Sequence, residues 1–253
     1  MSAVESPGGL PESETVRGLE RDVVAWYREP YGPARVCDAA GLREVALEEF
    51  GPVSEPVPYR GRKGIITYWP LANGRTVICG SLRMWHIALA LDFDEHIDAF
   101  SCEPLELRWR AGQRSMRWRP PFVARTRDGE RQVLLLSFPA GAPSAVHTDR
   151  LRVLGEVAQA AGWQIRHVPD PSTFQTQNLR WLAGYRFPSP AAAGEREALL
   201  GAFGQPIGLR QGCAASGLPA LAALDLAYRM IWQRRLHIDW QRLLLPDSLA
   251  WAG

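Results

Sequence analysis

Residues 97–138 read IDAFSCEPLELRWRAGQRSMRWRPPFVARTRDGERQVLLLSF. Five short runs stand out in this stretch: Ile97–Ser101, Leu105–Trp109, Ser115–Trp118, Phe122–Arg125 and Gln132–Phe138. Each is too short for a stable helix, and apolar and aromatic residues recur in it at strand spacing. Asp128-Gly129, before the last run, is a hairpin turn in which glycine supplies the positive φ. The stretch therefore predicts consecutive strands with no room for a helix between them.

Working outward, Ser81 is a suitable N-cap for a helix to about Asp92. Before it, Ile65–Trp69 and Thr76–Cys79 read as two strands around the turn pair Asn73-Gly74. After the stretch, Leu151, Leu154, Ala158 and Ala161 mark an amphipathic helix that Gly162 ends, and Trp163–Val168 reads as a further strand. Helix, strands, helix and strand in this order predict an α/β domain over residues 52–170. Residues 1–51 are expected to be a tail with two helices, Thr15–Glu29 and Ala39–Phe50. Residues 171–253 follow a Pro/Ser/Thr linker, Asp170–Thr173. They show three helical patterns (Gln177–Tyr185, Gly194–Phe203 and Leu218–Met230) and then two extended runs, Leu236–Trp240 and Ser248–Trp251. Three helices followed by a small β-ribbon is the order of a winged-helix module.

The chain has 253 residues, 46% hydrophobic and 22% charged, which excludes a disordered or collagen-like chain and a disulfide miniprotein. No apolar run approaches the ~20 residues of a membrane span, so no membrane partner is expected. The first residues, Met1–Glu14, lack the basic and apolar regions of a signal peptide, and a cytoplasmic location is expected. Cys37, Cys79, Cys102 and Cys213 are widely spaced and read as buried thiols. Net charge is only +2, yet Lys63 is the sole lysine among 29 basic residues. Arginine supplies a planar fork for phosphate that lysine does not.

Several segments, taken together and in order, carry a resemblance: PYRGR (58–62), LDFDEHIDAF (91–100), EPLELRW (103–109), the RPP before Phe122, NLRWLAGYRFP (178–188), and the ending from Leu218 through Arg229, Asp239 and Pro246. The chain resembles the TnsA-like heteromeric transposase endonuclease subunits from about Pro52 to the C-terminus. The resemblance implies a restriction-endonuclease-like core of the PD-(D/E)XK type, a central mixed sheet flanked by helices, and a small winged-helix-like domain after it. It also implies magnesium-dependent DNA cleavage, with a separate transposase subunit as partner.

Carried over residue by residue, the catalytic motif is degenerate. Its helical acidic position falls on Met84 and its Pro-Asp pair on Pro120-Pro121, so that Pro121 stands for the aspartate. The acidic-x-basic triplet falls on Leu136-Ser137-Phe138, or one residue earlier on Leu135-Leu136-Ser137, and the glutamine before a proline becomes Glu103. Met84, Pro121, Leu136 and Phe138 offer no hard oxygen to magnesium. No metal is therefore expected, and the four are expected to fill the vacated pocket as one apolar cluster. Glu103, Glu106 and Asp128 are the nearest carboxylates that could replace the lost ones.

Arg108, Arg110, Arg117, Arg119 and Arg125 crowd the central stretch, with Trp109 and Trp118 among them, and Arg234 and Arg235 lie in the C-terminal segment. These seven are the candidate DNA-binding residues, since arginine forks and aromatic rings suit a nucleic-acid backbone. The expected function is that of a TnsA-like protein that has lost cleavage and acts through DNA, a transposase subunit, or both. Two alternatives stand beside it: a nuclease scaffold reused to bind or transform a small molecule, and an active endonuclease with a migrated site.

Overall fold

A computed structural model describes residues 23–30, 32–54, 67–71, 74–136, 144–187 and 191–253. The described chain is a mixed α/β protein. It begins with β1 (Val24–Arg28) and β2 (Ala34–Cys37), followed by two 3-10 turns, Gly41–Glu44 and Leu47–Glu49. A hairpin of β3 (Thr67–Pro70) and β4 (Thr76–Cys79) leads into α1 (Leu82–Phe93). Five strands follow: β5 (Ile97–Cys102), β6 (Leu105–Ala111), β7 (Arg114–Trp118), β8 (Phe122–Thr126) and β9 (Arg131–Leu136). Then come α2 (Ala145–Ala161), β10 (Gln164–Val168), α3 (Thr173–Leu182) and α4 (Ala193–Ala202). The chain ends with β11 (Ile207–Gly208), α5 (Leu209–Ala215), α6 (Ala220–Trp232), β12 (Leu236–Ile238) and β13 (Leu249–Ala252). No helix among the described residues is long and apolar enough to cross a membrane.

The chain divides into two compact units. The first takes residues 1–66 and 96–169 and contains two sheets. One is wholly antiparallel, in the order β2-β1-β6-β7. The other runs β5-β8-β9-β10. There β5, β8 and β9 pair antiparallel, while β10 lies parallel to β9, with Ile165 opposite Val133 and His167 opposite Leu135. A parallel pair cannot be closed by a tight turn, and α2 is the crossover that makes it. Gly129, at φ 84°, closes the β8–β9 hairpin, and Gly162, at φ 71°, ends α2 in the left-handed conformation. Ala25, Tyr27, Leu105, Leu107 and Trp109 of the first sheet share one core with Val123, Val133 and Leu135 of the second and with Val153, Leu154 and Val157 of α2.

The second unit takes residues 67–95 and 170–253. The expected domain over 52–170 therefore differs from the observed division, because the β3–β4 hairpin and α1 join the C-terminal helices. Their contacts supply the reason. Arg83 pairs with Asp170 at 2.9 Å, the Arg234 guanidinium donates to the Phe93 carbonyl, and the Phe93 ring packs on Trp232 and Trp240. The rest of the unit holds α4, α5 and α6 and a three-stranded antiparallel sheet in the order β11-β13-β12. Its core gathers Leu199, Phe203, Leu209, Ala223, Ala227, Ile231 and Ala250.

Two expected helices are absent among the described residues. The part of Thr15–Glu29 that is described contains strand β1, because Val24, Trp26 and Tyr27 find ladder partners on β2 and β6. The span Ala39–Phe50 makes only the two 3-10 turns, with Leu42 and Leu47 fully buried and Glu48 drawn down to Arg125. Helix α5, which the sequence reading passed over, is a seven-residue element with Gly212 inside it.

Candidate nucleic-acid interface

Side chains alternate across a strand, so each strand of the β2-β1-β6-β7 sheet has one face toward the core and one away from it. On β6, Leu105, Leu107 and Trp109 belong to the core, which leaves Glu106, Arg108 and Arg110 on the outer face. On β1, Trp26 stands opposite Glu106 and Val24 opposite Arg108, and Arg28 shares their parity. On β7, Arg117 stands opposite Arg108 and Ser115 opposite Arg110. Arg119, one residue past β7, extends its Nε–H to Glu106. Among the described residues the strands of this face carry four arginines, Arg28, Arg108, Arg110 and Arg117, and a single carboxylate, Glu106; Arg119 joins them from one residue past β7, and Asp38, one residue past β2, shares the parity of Val36.

The geometry around Glu106 is closed on one side and open on the other. Its Oε1 accepts from Arg108 Nε at 2.8 Å and its Oε2 from Arg119 Nε at 2.9 Å. Glu106 is buried, whereas the Arg108 and Arg119 side chains are 34% and 35% exposed. Burial raises the Glu106 pKa, but the hydrogen bonds from Arg108 and Arg119 outweigh it and hold the carboxyl below its ordinary range. The Arg108 guanidinium carbon lies 4.0 Å from the centre of the Trp26 ring, a cation–π contact from beneath. The Trp26 indole N–H is buried and finds no acceptor among the described residues. Arg110 and Arg117 are exposed. Two like charges directly opposite on neighbouring strands, as Arg108 and Arg117 are, cost stability, and a bound polyanion would offset that cost.

Of the seven candidate arginines, four come together here: Arg108, Arg110, Arg117 and Arg119. Arg125 serves the fold instead. Its guanidinium donates to Glu48 at 2.9 Å, Glu49 at 3.0 Å and Asp98 at 2.9 Å, and fixes the second 3-10 turn onto the other sheet. Arg234 and Arg235 belong to the second unit. Arg234 is held by the Phe93 carbonyl and Glu95, while Arg235 is exposed. Trp26 and Arg28, which complete the face, escaped the sequence reading because the segment was assigned to a helix. The run Val24-Ala25-Trp26-Tyr27 is apolar throughout and fits a helical stripe as well as a strand, so no alternation marked it.

The described positions onto which the resemblance carries the catalytic motif, Pro121, Leu136 and Met84, lie in different elements. Pro121 is half-buried in the turn before β8, and its carbonyl accepts the Glu103 N–H at 2.9 Å. Leu136 is buried at the end of β9, opposite Val168. Met84 is half-buried in the first turn of α1, in the second unit, and its N–H donates to the Ser81 cap. Phe138 lies outside the described residues, so the expected four-residue cluster does too. Glu103 has a left-handed backbone at φ 48°, and its carbonyl accepts the Val53 N–H at 2.9 Å. Among the described residues no three His, Cys, Asp or Glu side chains gather to hold a metal ion. Pro121 and Leu136 have no side-chain oxygen, so these positions do not fit magnesium, and no cleavage step through it follows.

No protein-family model matches the chain, and no curated protein matches it.

Proposed function

We propose that this protein is a TnsA-like subunit without metal-dependent cleavage, and that it acts in transposition by holding DNA beside a transposase partner. The observation that carries the reading is the outer face of the β2-β1-β6-β7 sheet, whose strands carry four arginines against one carboxylate, with Arg119 joining from just past β7. A cationic surface of this kind neutralises phosphates and releases condensed counterions, which supplies affinity without base recognition. The mixed β5-β8-β9-β10 sheet with its crossover helix supports a restriction-endonuclease-like core. The order α4, β11, α5, α6, β12, β13 supports a winged-helix-like module. The apolar side chains of Pro121 and Leu136 support loss of cleavage.

The N-terminal turns of α6 add a constraint. A reading helix meets base edges with side chains near its N-terminus. Here those residues are Ala220, Leu221, Ala222, Ala223 and Leu224, without one side-chain hydrogen-bond donor. Base reading by α6 is therefore not part of the proposal, and binding should be largely independent of sequence.

Fluorescence anisotropy of a labelled duplex, titrated across salt, tests this. The logarithm of affinity should fall linearly with the logarithm of salt. Arg110→Ala with Arg117→Ala should reduce the magnitude of that slope by about 2, since each phosphate contact contributes about 0.9. Absence of binding even at low salt would sink the reading, and so would magnesium-dependent nicking of the same duplex.

A further inference from the structure

Glu106 poses a question that the charge of the surface does not answer. It is the one carboxylate that the described strands place on this cationic face, and it is buried beneath two arginines. A carboxylate there could mask the arginines from an incoming anion or hold them ready for it. The atoms used decide between these. A masking carboxylate would take the terminal amino groups, the ones a phosphate grips bidentately. Glu106 instead takes only the Nε–H of each guanidinium. All four terminal nitrogens of Arg108 and Arg119 remain without a partner among the described residues, on side chains one-third exposed. The Arg108 guanidinium also packs over the Trp26 ring, which limits its freedom. Fixed this way, each fork loses little side-chain entropy when it meets a phosphate.

We infer that Glu106 is the positioning residue of a phosphodiester clamp, in which Arg108 and Arg119, bridged through their Nε–H groups over Trp26, take the backbone of duplex DNA with their free terminal nitrogens. The inference rests on the DNA-binding reading and assigns to it a specific site and a division of labour. Arg108 and Arg119 are ordered contacts. Arg110, Arg117 and Arg28 contribute a looser cationic surround.

The test turns on a sign. Glu106→Gln removes a negative charge from the face, so charge alone predicts tighter binding. A glutamine, however, offers one acceptor oxygen and turns an NH2 toward the second Nε–H, which breaks the bridge. Positioning therefore predicts weaker binding, by about tenfold, the loss of one charge-assisted hydrogen bond. The measurement is duplex anisotropy across salt on the full chain, with the thermal midpoint of each variant recorded. Arg119→Lys keeps the charge without the fork and should also weaken binding several-fold, whereas Arg196→Ala, exposed on α4, should not change it. Should Glu106→Gln fail to fold, the lysine variant carries the test. Inorganic phosphate at matched ionic strength should not displace the duplex. Equal or tighter binding by Glu106→Gln, full binding by Arg119→Lys, or displacement by phosphate would each overturn the clamp while DNA binding itself stands. No duplex binding by the unaltered protein would overturn the functional reading and the clamp together.

Discussion

Two arginines six residues apart in the same stretch perform different tasks, and the nitrogens they commit separate them. Arg119 spends one N–H on a carboxylate and keeps its terminal nitrogens, whereas Arg125 spends all three of its nitrogens on Glu48, Glu49 and Asp98. Glu48 is fully buried, and removing a partner from a buried charge is costly. Arg125→Ala should therefore destabilise the protein by about 1–2 kcal/mol in urea denaturation, less than for a fully buried pair because Arg131 still faces Glu48 and Arg125 is itself partly exposed. Its effect on the DNA salt slope should be small, the reverse of Arg117→Ala. Glu106 gives a pH prediction. Its folded-state pKa lies below the ordinary 4.5, so its bridges stabilise the fold above that pH and are lost as the pH falls through the lowered value. The stability gap between the unaltered protein and Glu106→Gln, read as urea midpoints, should be full near neutrality and close in acid. A gap that stays constant down to about pH 3 would count against the bridge.

The elements follow local chemistry where capping and turn residues are strong, and depart from it where partners elsewhere in the chain decide. Ser81 caps α1 through the Met84 N–H at 3.2 Å, and Ser81→Ala should cost about 1 kcal/mol. In α5 the constraint is close approach. A Cβ on Gly212 would come within 2.3 Å of the Phe203 ring, which is fully buried and cannot swing clear. Gly212→Ala should destabilise the second unit by about 1–3 kcal/mol, visible as a lowered thermal midpoint, despite the better helix propensity of alanine. An unchanged midpoint would show that the ring yields. Strand β1 teaches the converse. Its apolar residues satisfy a helical stripe as well as a strand, and the choice falls to the ladder partners on β2 and β6.

At the scale of the whole molecule, the second unit is built from two stretches of chain, residues 67–95 and 170–253. A nick in the Pro169–Thr173 segment should therefore not free the C-terminal piece. The β3–β4 hairpin and α1 stay packed with it through the Arg234 hydrogen bond to the Phe93 carbonyl and the Phe93, Trp232 and Trp240 rings. Two bands on a denaturing gel, but one species in native size exclusion, is the expected result. Separation of the fragments without denaturant would refute the division. The sequence by itself determined the strands of residues 97–136, the Ser81 and Gly162 helix ends, and the Asp128-Gly129 turn, because turn and capping chemistry act over two to four residues. It also brought Arg108, Arg110, Arg117, Arg119 and Arg125 forward together, because arginines crowd that stretch, without separating the four that share a face from Arg125, which serves the fold. Only the tertiary structure decided that Val24–Arg28 is a strand, that Arg125 is bound to Glu48, and that α1 joins the C-terminal helices. Beyond the nearby β2, these depend on partners some 70 to 140 residues away in the chain, and no local pattern encodes which distant surface a half-apolar segment will meet.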